Sequence, residues 1–256
     1  MLDKICATVR EAGKMITDIP YSSVKSKTMM TDFVTDRDVA VQKFLYDKLR
    51  TLFPGAGFCG EEDEAHALDA DDVFVIDPID GTANFVYGLG ASAVSVALLH
   101  KGKAKYAAVY DPYRDEMFCA ERGRGAFLNG NPIHVTEAPL RKALVDVGTS
   151  PYKPHLMRET LKLEEKLLDI AGDTRRIGSA ALAGCYVAAG RYALMFELRL
   201  CSWDFAAARL ITEEAGGAFA YLDGKDHSLT DDPPIAMGSP EAMEKFLALY
   251  KEYKKD

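Results

Sequence analysis

The five cysteines of this chain (Cys6, Cys59, Cys119, Cys185 and Cys201) include no C-x-x-C pair. A scattered, odd-numbered set argues against a zinc ribbon or a dithiol redox centre and fits a reducing compartment, so the expected location is cytoplasmic. No apolar run approaches the ~20 residues that a membrane span needs. Asp3, Lys4, Arg10, Glu11 and Lys14 interrupt the opening stretch, which leaves no signal-peptide core. Positive charge is in deficit: 31 Lys and Arg against 39 Asp and Glu give a net charge of −8. Nucleic acid is therefore not an expected partner, because phosphate backbones select basic surfaces. Repeats and low-complexity linkers are also missing from the 256 residues, a length that suits one large domain or two closely packed lobes.

The patterning that is present mixes both periods. Apolar residues at helical spacing predict helices over 2–17 and 36–53, with Thr35 as N-cap of the second and Pro54-Gly55 as its stop. Strand-like runs follow at 56–59, 73–76, 93–99, 106–110 and 116–120, and the turn signals between them read as a β-meander. Further on, strands at 144–148, 175–177, 192–197 and 235–237 alternate with helices at 154–170, 179–189, 203–215 and 240–250. This predicts an N-terminal α+β lobe over 1–140 and a C-terminal α/β lobe over 141–256. Ala180, Ala181, Ala183, Gly184 and Ala188 form a small-residue stripe that reads as close helix packing.

Chemistry concentrates in Asp77-Pro78-Ile79-Asp80-Gly81-Thr82. Two carboxylates three residues apart at a buried strand's end repel, and desolvating even a neutral polar group costs roughly 2–7 kcal/mol. A positive centre between them resolves the conflict. Gly81-Thr82 adds N–H groups and a hydroxyl, the means by which proteins hold phosphate. Glu61 and Glu62 end another strand, Asp204 opens an Ala-rich helix, and Asp36 and Asp38 open an earlier one. Each acid has a bland reading as well: helix capping for Asp204, Asp36 and Asp38, and solvated charge for Glu61 and Glu62. Asp36-x-Asp38 has the spacing of a haloacid-dehalogenase nucleophile, yet it begins a helix where that chemistry wants a strand's end.

In combination and order, Glu61-Glu62, Asp77 through Thr82, and Trp203-Asp204 through Gly216-Gly217 resemble the signatures of the inositol monophosphatase family. The resemblance runs through Asp32-Phe33-Val34-Thr35, Val109-Tyr110-Asp111-Pro112, Gly123 to Gly130 and Arg176 to Ala180, covering roughly residues 25–240. It implies an α+β fold, the layered α-β-α-β-α sandwich shared with fructose-1,6-bisphosphatase, and a phosphoric monoester hydrolase inhibited by lithium and assembled as a homodimer. By the same resemblance, one Mg²⁺ would bind Glu61, Asp77 and the carbonyl of Ile79. A second would bind Asp77, Asp80 and Asp204, and a third, largely hydrated, would touch Glu61. All-oxygen ligands suit Mg²⁺ rather than zinc. Thr82, backed by Asp38, would position the attacking water, with Glu61 completing the catalytic set, while the N–H groups of Gly81 and Thr82 would grip the phosphate. Lys27 matches a family lysine beside a metal-binding loop.

For the leaving group, Glu197 matches a family glutamate that binds inositol hydroxyls, and Gly178, Ser179 and Ala180 match the segment beside it. These imply inositol monophosphate or a related polyol or sugar phosphate. Ala83-Asn84-Phe85 looks like the inositol branch. Arg176 and Arg199 keep fructose 1,6-bisphosphate open, with nucleotide 3′-phosphates and NADP as further alternatives. A remote alternative is an RNA-binding transcription accessory role.

Overall fold

The computed structural model describes residues 1–17, 23–26, 33–63, 66–151 and 153–255; Lys27 and Asp32 lie outside them. Helix α1 (Leu2–Thr17) buries Ile5, Val9, Ala12 and Ile16, one face at helical spacing. A short antiparallel pair, β1 (Val24–Ser26) and β2 (Phe33–Thr35), leads into α2 (Asp36–Leu52). That helix starts where Thr35 predicts. The Thr35 hydroxyl accepts from the Arg37 and Asp38 N–H groups, and Asp38 Oδ2 accepts from Thr35 N–H at 2.8 Å, which completes a capping box.

A seven-stranded sheet follows, built by β3 (Gly57–Gly60), β4 (Asp72–Asp80), β5 (Ala93–His100), β6 (Lys103–Asp111), β7 (Glu116–Glu121), β8 (Ala126–Leu128) and β9 (Asn131–Pro132) in chain order. Only β3 and β4 pair in parallel; the rest is the meander that the turn signals predict. Strand β4 overruns the sequence expectation. It continues past residue 76 through Asp80, with a break in register between Asp77 and Asp80. Pro78 has no N–H to give the ladder, and Ile79 N–H turns back to Asp77 Oδ1 at 2.9 Å, so the strand bulges and carries both acids on its final turn. A single-turn helix, α3 (Thr82–Val86), comes directly after.

The second sheet has the order β11-β10-β12-β14-β13, from β10 (Leu144–Gly148), β11 (Asp173–Arg175), β12 (Leu194–Glu197), β13 (Ala218–Tyr221) and β14 (Ile235–Gly238). β11, β10 and β12 run parallel. The strand expected at 175–177 sits two residues earlier, because Ile177 N–H is drawn to the Asp146 carboxylate at 2.9 Å and leaves the ladder. β1, β2, β8, β9 and β13 lie outside the predicted runs: the first four are only two or three residues long, and β13 is a half-buried edge without an alternating pattern.

Four more helices complete the chain: α4 (Pro154–Leu168), α5 (Ala180–Ala188), α6 (Ser202–Glu214) and α7 (Pro240–Tyr253). Three apolar cores fix the layers. α1 and α2 cover the outer face of the first sheet through Leu45, Leu49, Phe74 and Val96. α5 and α6 fill the space between the sheets, where Val75, Val109 and Phe118 meet Ala181, Leu182, Phe205 and Ile211. α4 and α7 cover the outer face of the second sheet through Leu163, Phe196 and Phe246. The result is the α-β-α-β-α sandwich. Among the described residues, no helix is long and apolar enough to cross a membrane.

The small-residue stripe lies in the middle layer. A Cβ on Gly184 would sit 2.7 Å from Ala208 Cβ and 3.0 Å from Met237 Cε, so α5 and α6 approach too closely for any side chain there. Gly184→Val is expected to cost at least about 2 kcal/mol of stability, read as a lowered midpoint in denaturant unfolding. An unchanged midpoint would mean the middle layer yields freely.

Candidate metal and phosphate site

Both sheets deliver strand ends to one cavity of about 860 Å³, whose lining includes Glu61, Asp77, Ile79, Asp80, Gly81, Thr82, Gly178, Ser179, Ala180, Glu197, Trp203 and Asp204. Ligands of α/β sheets gather at such carboxyl ends. Every predicted lining residue is there. Asp38 stands one layer behind, reached through Thr82.

At one end the carboxylates of Asp77, Asp80 and Asp204 bring an oxygen each within 4.8 Å of one another. Glu61 lines the same end, within hydrogen-bond reach of Asp77. Each acid is held by its own element. Asp77 is fixed by the bulge. Asp80 accepts from the Ser179 hydroxyl and from the Ala181 and Ala180 N–H groups at 2.9 and 3.3 Å, so the start of α5 aims it. Asp204 Oδ2 accepts from Cys201 N–H at 2.8 Å. Asp204 thus caps its helix and lines the cavity at once, whereas Asp38 caps α2 from behind the cavity wall.

Burial pushes the Asp77 and Asp204 carboxyls well above the usual range, and the charges of the neighbouring acids push the same way. Asp80 rises to about 7, burial again leading and its three donors opposing. Carboxylates that cost this much to ionise together, all offering oxygen, are the donor set of a hard divalent cation. Mg²⁺ fits the residues present.

Thr82 Oγ1 lies 3.3 Å from Asp38 Oδ1 and 3.0 Å from the Ile79 carbonyl, two acceptors for one proton. Burial raises the Asp38 carboxyl, against the pull of its Thr35 hydrogen bonds. Asp36 faces elsewhere, accepting from Ser23 N–H at 3.1 Å. Glu62 donates its N–H to Gln42 Oε1 and is not part of the cavity lining.

The leaving-group side is built around Glu197, whose Oε1 accepts from Ser150 N–H at 2.8 Å and Ser150 Oγ at 3.1 Å. Ser150 has φ +41°, a left-handed backbone that a non-glycine residue holds at a cost of order 1–3 kcal/mol. Gly148 leaves room for the acid: a Cβ there would lie 2.1 Å from Glu197 Oε2. Nothing in the local sequence marks Ser150.

Two further residues escaped sequence reasoning. Asp146, buried on β10, anchors Ile177 N–H and is pushed up to about 7, mainly by burial. A lone acid in the apolar run 144–148 was its signal. Asn84 sits inside the motif itself. Its Nδ2 lies 2.8 Å from the carbonyls of Ala91 and Ile177 and 3.3 Å from that of Gly178, tying the turn after β4 to the segment that aims Asp80. Asn84→Ala is expected to weaken Mg²⁺ binding by roughly tenfold or more, the usual effect of losing a residue that orients a ligand. Titration calorimetry checks this; a lower Tm with unaltered Mg²⁺ affinity would leave Asn84 a purely structural role.

A five-layer α-β-α-β-α sandwich whose two sheets both send strand ends to a cavity lined by an all-oxygen acid cluster defines the class. The chain belongs to the inositol monophosphatase family, whose profile matches residues 2–255. It is 37% identical over 254 residues to the protein named Nus factor SuhB of Escherichia coli strain K12, covering 97% of this chain and 94% of that one. Among solved structures, an IMPase of Thermotoga maritima superposes with a TM-score of 0.88 at 31% identity, covering 99% of this chain and 98% of the other. An IMPase/NADP phosphatase solved with Mg²⁺ and phosphate superposes with a TM-score of 0.84 at 25% identity, covering 96% and 92%.

Proposed function

We propose that the protein hydrolyses a phosphate monoester with water as nucleophile and Mg²⁺ as cofactor, and that the ester is inositol monophosphate or a related polyol or sugar phosphate. One observation carries the reading: Asp77, Asp80 and Asp204 converge within 4.8 Å in a cavity that also exposes Gly81 and Thr82. Glu61, Asp77 and the Ile79 carbonyl would hold one ion, and Asp77, Asp80 and Asp204 a second. The chemistry supplied by bound Mg²⁺ is Lewis acidity toward the water and the phosphate oxygens.

The chain's own groups do the rest. The Gly81 and Thr82 N–H groups bind the phosphate. With the Ile79 carbonyl engaged, the Thr82 hydroxyl donates to Asp38 Oδ1 and turns a lone pair toward the water, holding it for in-line attack. As the water loses its proton to Thr82 Oγ1, the hydroxyl's own proton moves to Asp38, whose raised affinity for protons suits it to receive one. Glu197 and the Gly178–Ala180 segment orient the alcohol. A cytoplasmic homodimer is the assembly and location that accompany this reading.

The test is phosphate release from inositol 1-phosphate, fructose 1,6-bisphosphate, 3′-phosphoadenosine 5′-phosphate and NADP, with Mg²⁺ or with chelator. Inositol 1-phosphate should be cleaved, the chelator should abolish cleavage, and lithium should inhibit it. No release from any of the four would overturn the proposal. The relative named Nus factor supports a second reading, the transcription accessory role. Tight, salt-sensitive RNA binding in a shift assay would place that reading first, against the acidic balance of the chain.

A further inference from the structure

Asp38, Gln42 and Tyr46 follow one another at four-residue intervals on α2, so they form one polar stripe along that helix. Its first member holds the Thr82 hydroxyl that follows β4. The other two reach the turn that follows β3, and both meet the Asp63 carboxylate there. Gln42 Nε2 donates to Asp63 Oδ1 at 3.0 Å, and the Tyr46 hydroxyl donates to Asp63 Oδ2. Gly60 N–H donates to the same Oδ2 at 3.2 Å, while Asp63 N–H returns to the Gly60 carbonyl at 3.3 Å. Gln42 Oε1 accepts from Glu62 N–H at 3.1 Å. The turn Gly60-Glu61-Glu62-Asp63 is thereby closed on itself and fastened to α2.

Gln42, Tyr46 and Asp63 stand outside the cavity lining, whereas Glu61, in the middle of the turn, belongs to it. The grip is also close. A Cβ on Gly60 would overlap the Tyr46 hydroxyl and lie 2.5 Å from Gln42 Oε1, so no side chain fits at the end of β3. A merely solvated acid needs neither three donors nor this proximity. We infer that Asp63 is a positioning residue: held by Gln42 and Tyr46, it fixes the turn that aims Glu61 at the cation site. The stripe on α2 then sets Glu61 and Thr82 at a constant separation. This rests on the Mg²⁺-dependent reading and extends it to residues that touch neither ion nor substrate.

Titration calorimetry with Mg²⁺ alone tests it on the full chain. Asp63→Asn is expected to weaken binding about tenfold, the usual scale for a group that orients a ligand from behind. An asparagine oxygen can still accept from Tyr46 and Gly60, but its amide then meets the Gln42 amide, donor against donor. Adding Gln42→Glu should recover the affinity, because that carboxylate accepts from both Glu62 N–H and the asparagine amide at the same net charge. Tyr46→Phe removes a single donor and should weaken binding several-fold. The KM for Mg²⁺ should rise in the same order, with kcat at saturating Mg²⁺ little changed. A purely structural role would lower Tm and leave the affinity of the folded protein alone. Unchanged Mg²⁺ affinity in both single variants, or a loss in Asp63→Asn that Gln42→Glu does not recover, overturns the inference and leaves the phosphatase reading intact. Should Asp63→Asn not fold, Tyr46→Phe decides alone. A wild-type protein that binds no Mg²⁺ overturns both.

Discussion

Asp204→Asn is expected to abolish Mg²⁺-dependent phosphate release while making the metal-free protein more stable. Removing a charged ligand costs several kcal/mol of transition-state stabilisation; at 1.36 kcal/mol per tenfold, a loss of about 4 kcal/mol is a thousandfold in rate. The fold responds in the opposite sense. In chelator, Asp204 must either take up a proton on folding or add a negative charge beside Asp77, Asp80 and Glu61, and an amide avoids both costs. The asparagine carbonyl can still accept from Cys201 N–H, so the start of α6 keeps its cap. Asp80→Asn should lose activity equally without the gain in stability. Asp80 receives two backbone N–H groups as well as the Ser179 hydroxyl, and an amide NH₂ turned toward one of those N–H groups leaves it unsatisfied at about 1–3 kcal/mol. Rate assays with Mg²⁺ and thermal unfolding in chelator check both halves. A folded Asp204→Asn protein with near-normal activity would sink the metal assignment.

The chelated protein should lose stability as pH rises from 5 to 8, and Mg²⁺ should restore it. Asp77, Asp80, Asp146 and Asp204 all have carboxyls raised in the folded state. A raised acid binds protons more tightly folded than unfolded, so its contribution is complete below the unfolded value near 4 and is lost as pH climbs through the folded value. For Asp80 and Asp146 that value is about 7, which puts the loss between pH 4 and 7 or slightly above. A shift from 3.8 to about 7 corresponds to about 4 kcal/mol for one such group, as an upper bound on its share. Acids held low, such as Asp115 and Asp173, titrate below this window. On the proposed reading Mg²⁺ binds the ionised cluster, so its stabilisation should be large at pH 8 and small at pH 5. A midpoint that is flat across this range, or an equal Mg²⁺ effect at both ends, would mean the cluster is not strained by its own charge.

Much of this was legible in the chain because the relevant signals are local. Thr35 announced the start of α2, Gly184 and its alanines announced close helix packing, and the Asp77–Thr82 motif located the site. What escaped was set by contacts across the sequence. The end of β4 depends on a proline that breaks a ladder with β5, which no run of apolar residues encodes. The clamp on Glu197 joins residues 47 apart, and Asn84 reaches carbonyls 93 and 94 positions away. The residues alone do not rank Asp36 against Asp38; only the family resemblance favours Asp38, and it is Asp38 that Thr82 reaches.

The middle layer also sets a problem for synthesis. The first sheet is complete by Pro132, but the helices that cover its inner face begin at Ala180 and Ser202. At about 5–20 residues per second, the growing chain waits roughly 2–10 seconds between the last strand and the first covering helix. During that interval Val75, Ala97, Val109 and Phe118 have nothing to pack against on that side. A nascent chain of this length is a natural client for a chaperone that shields apolar sheet faces, and a stop placed shortly after residue 132 should yield insoluble product.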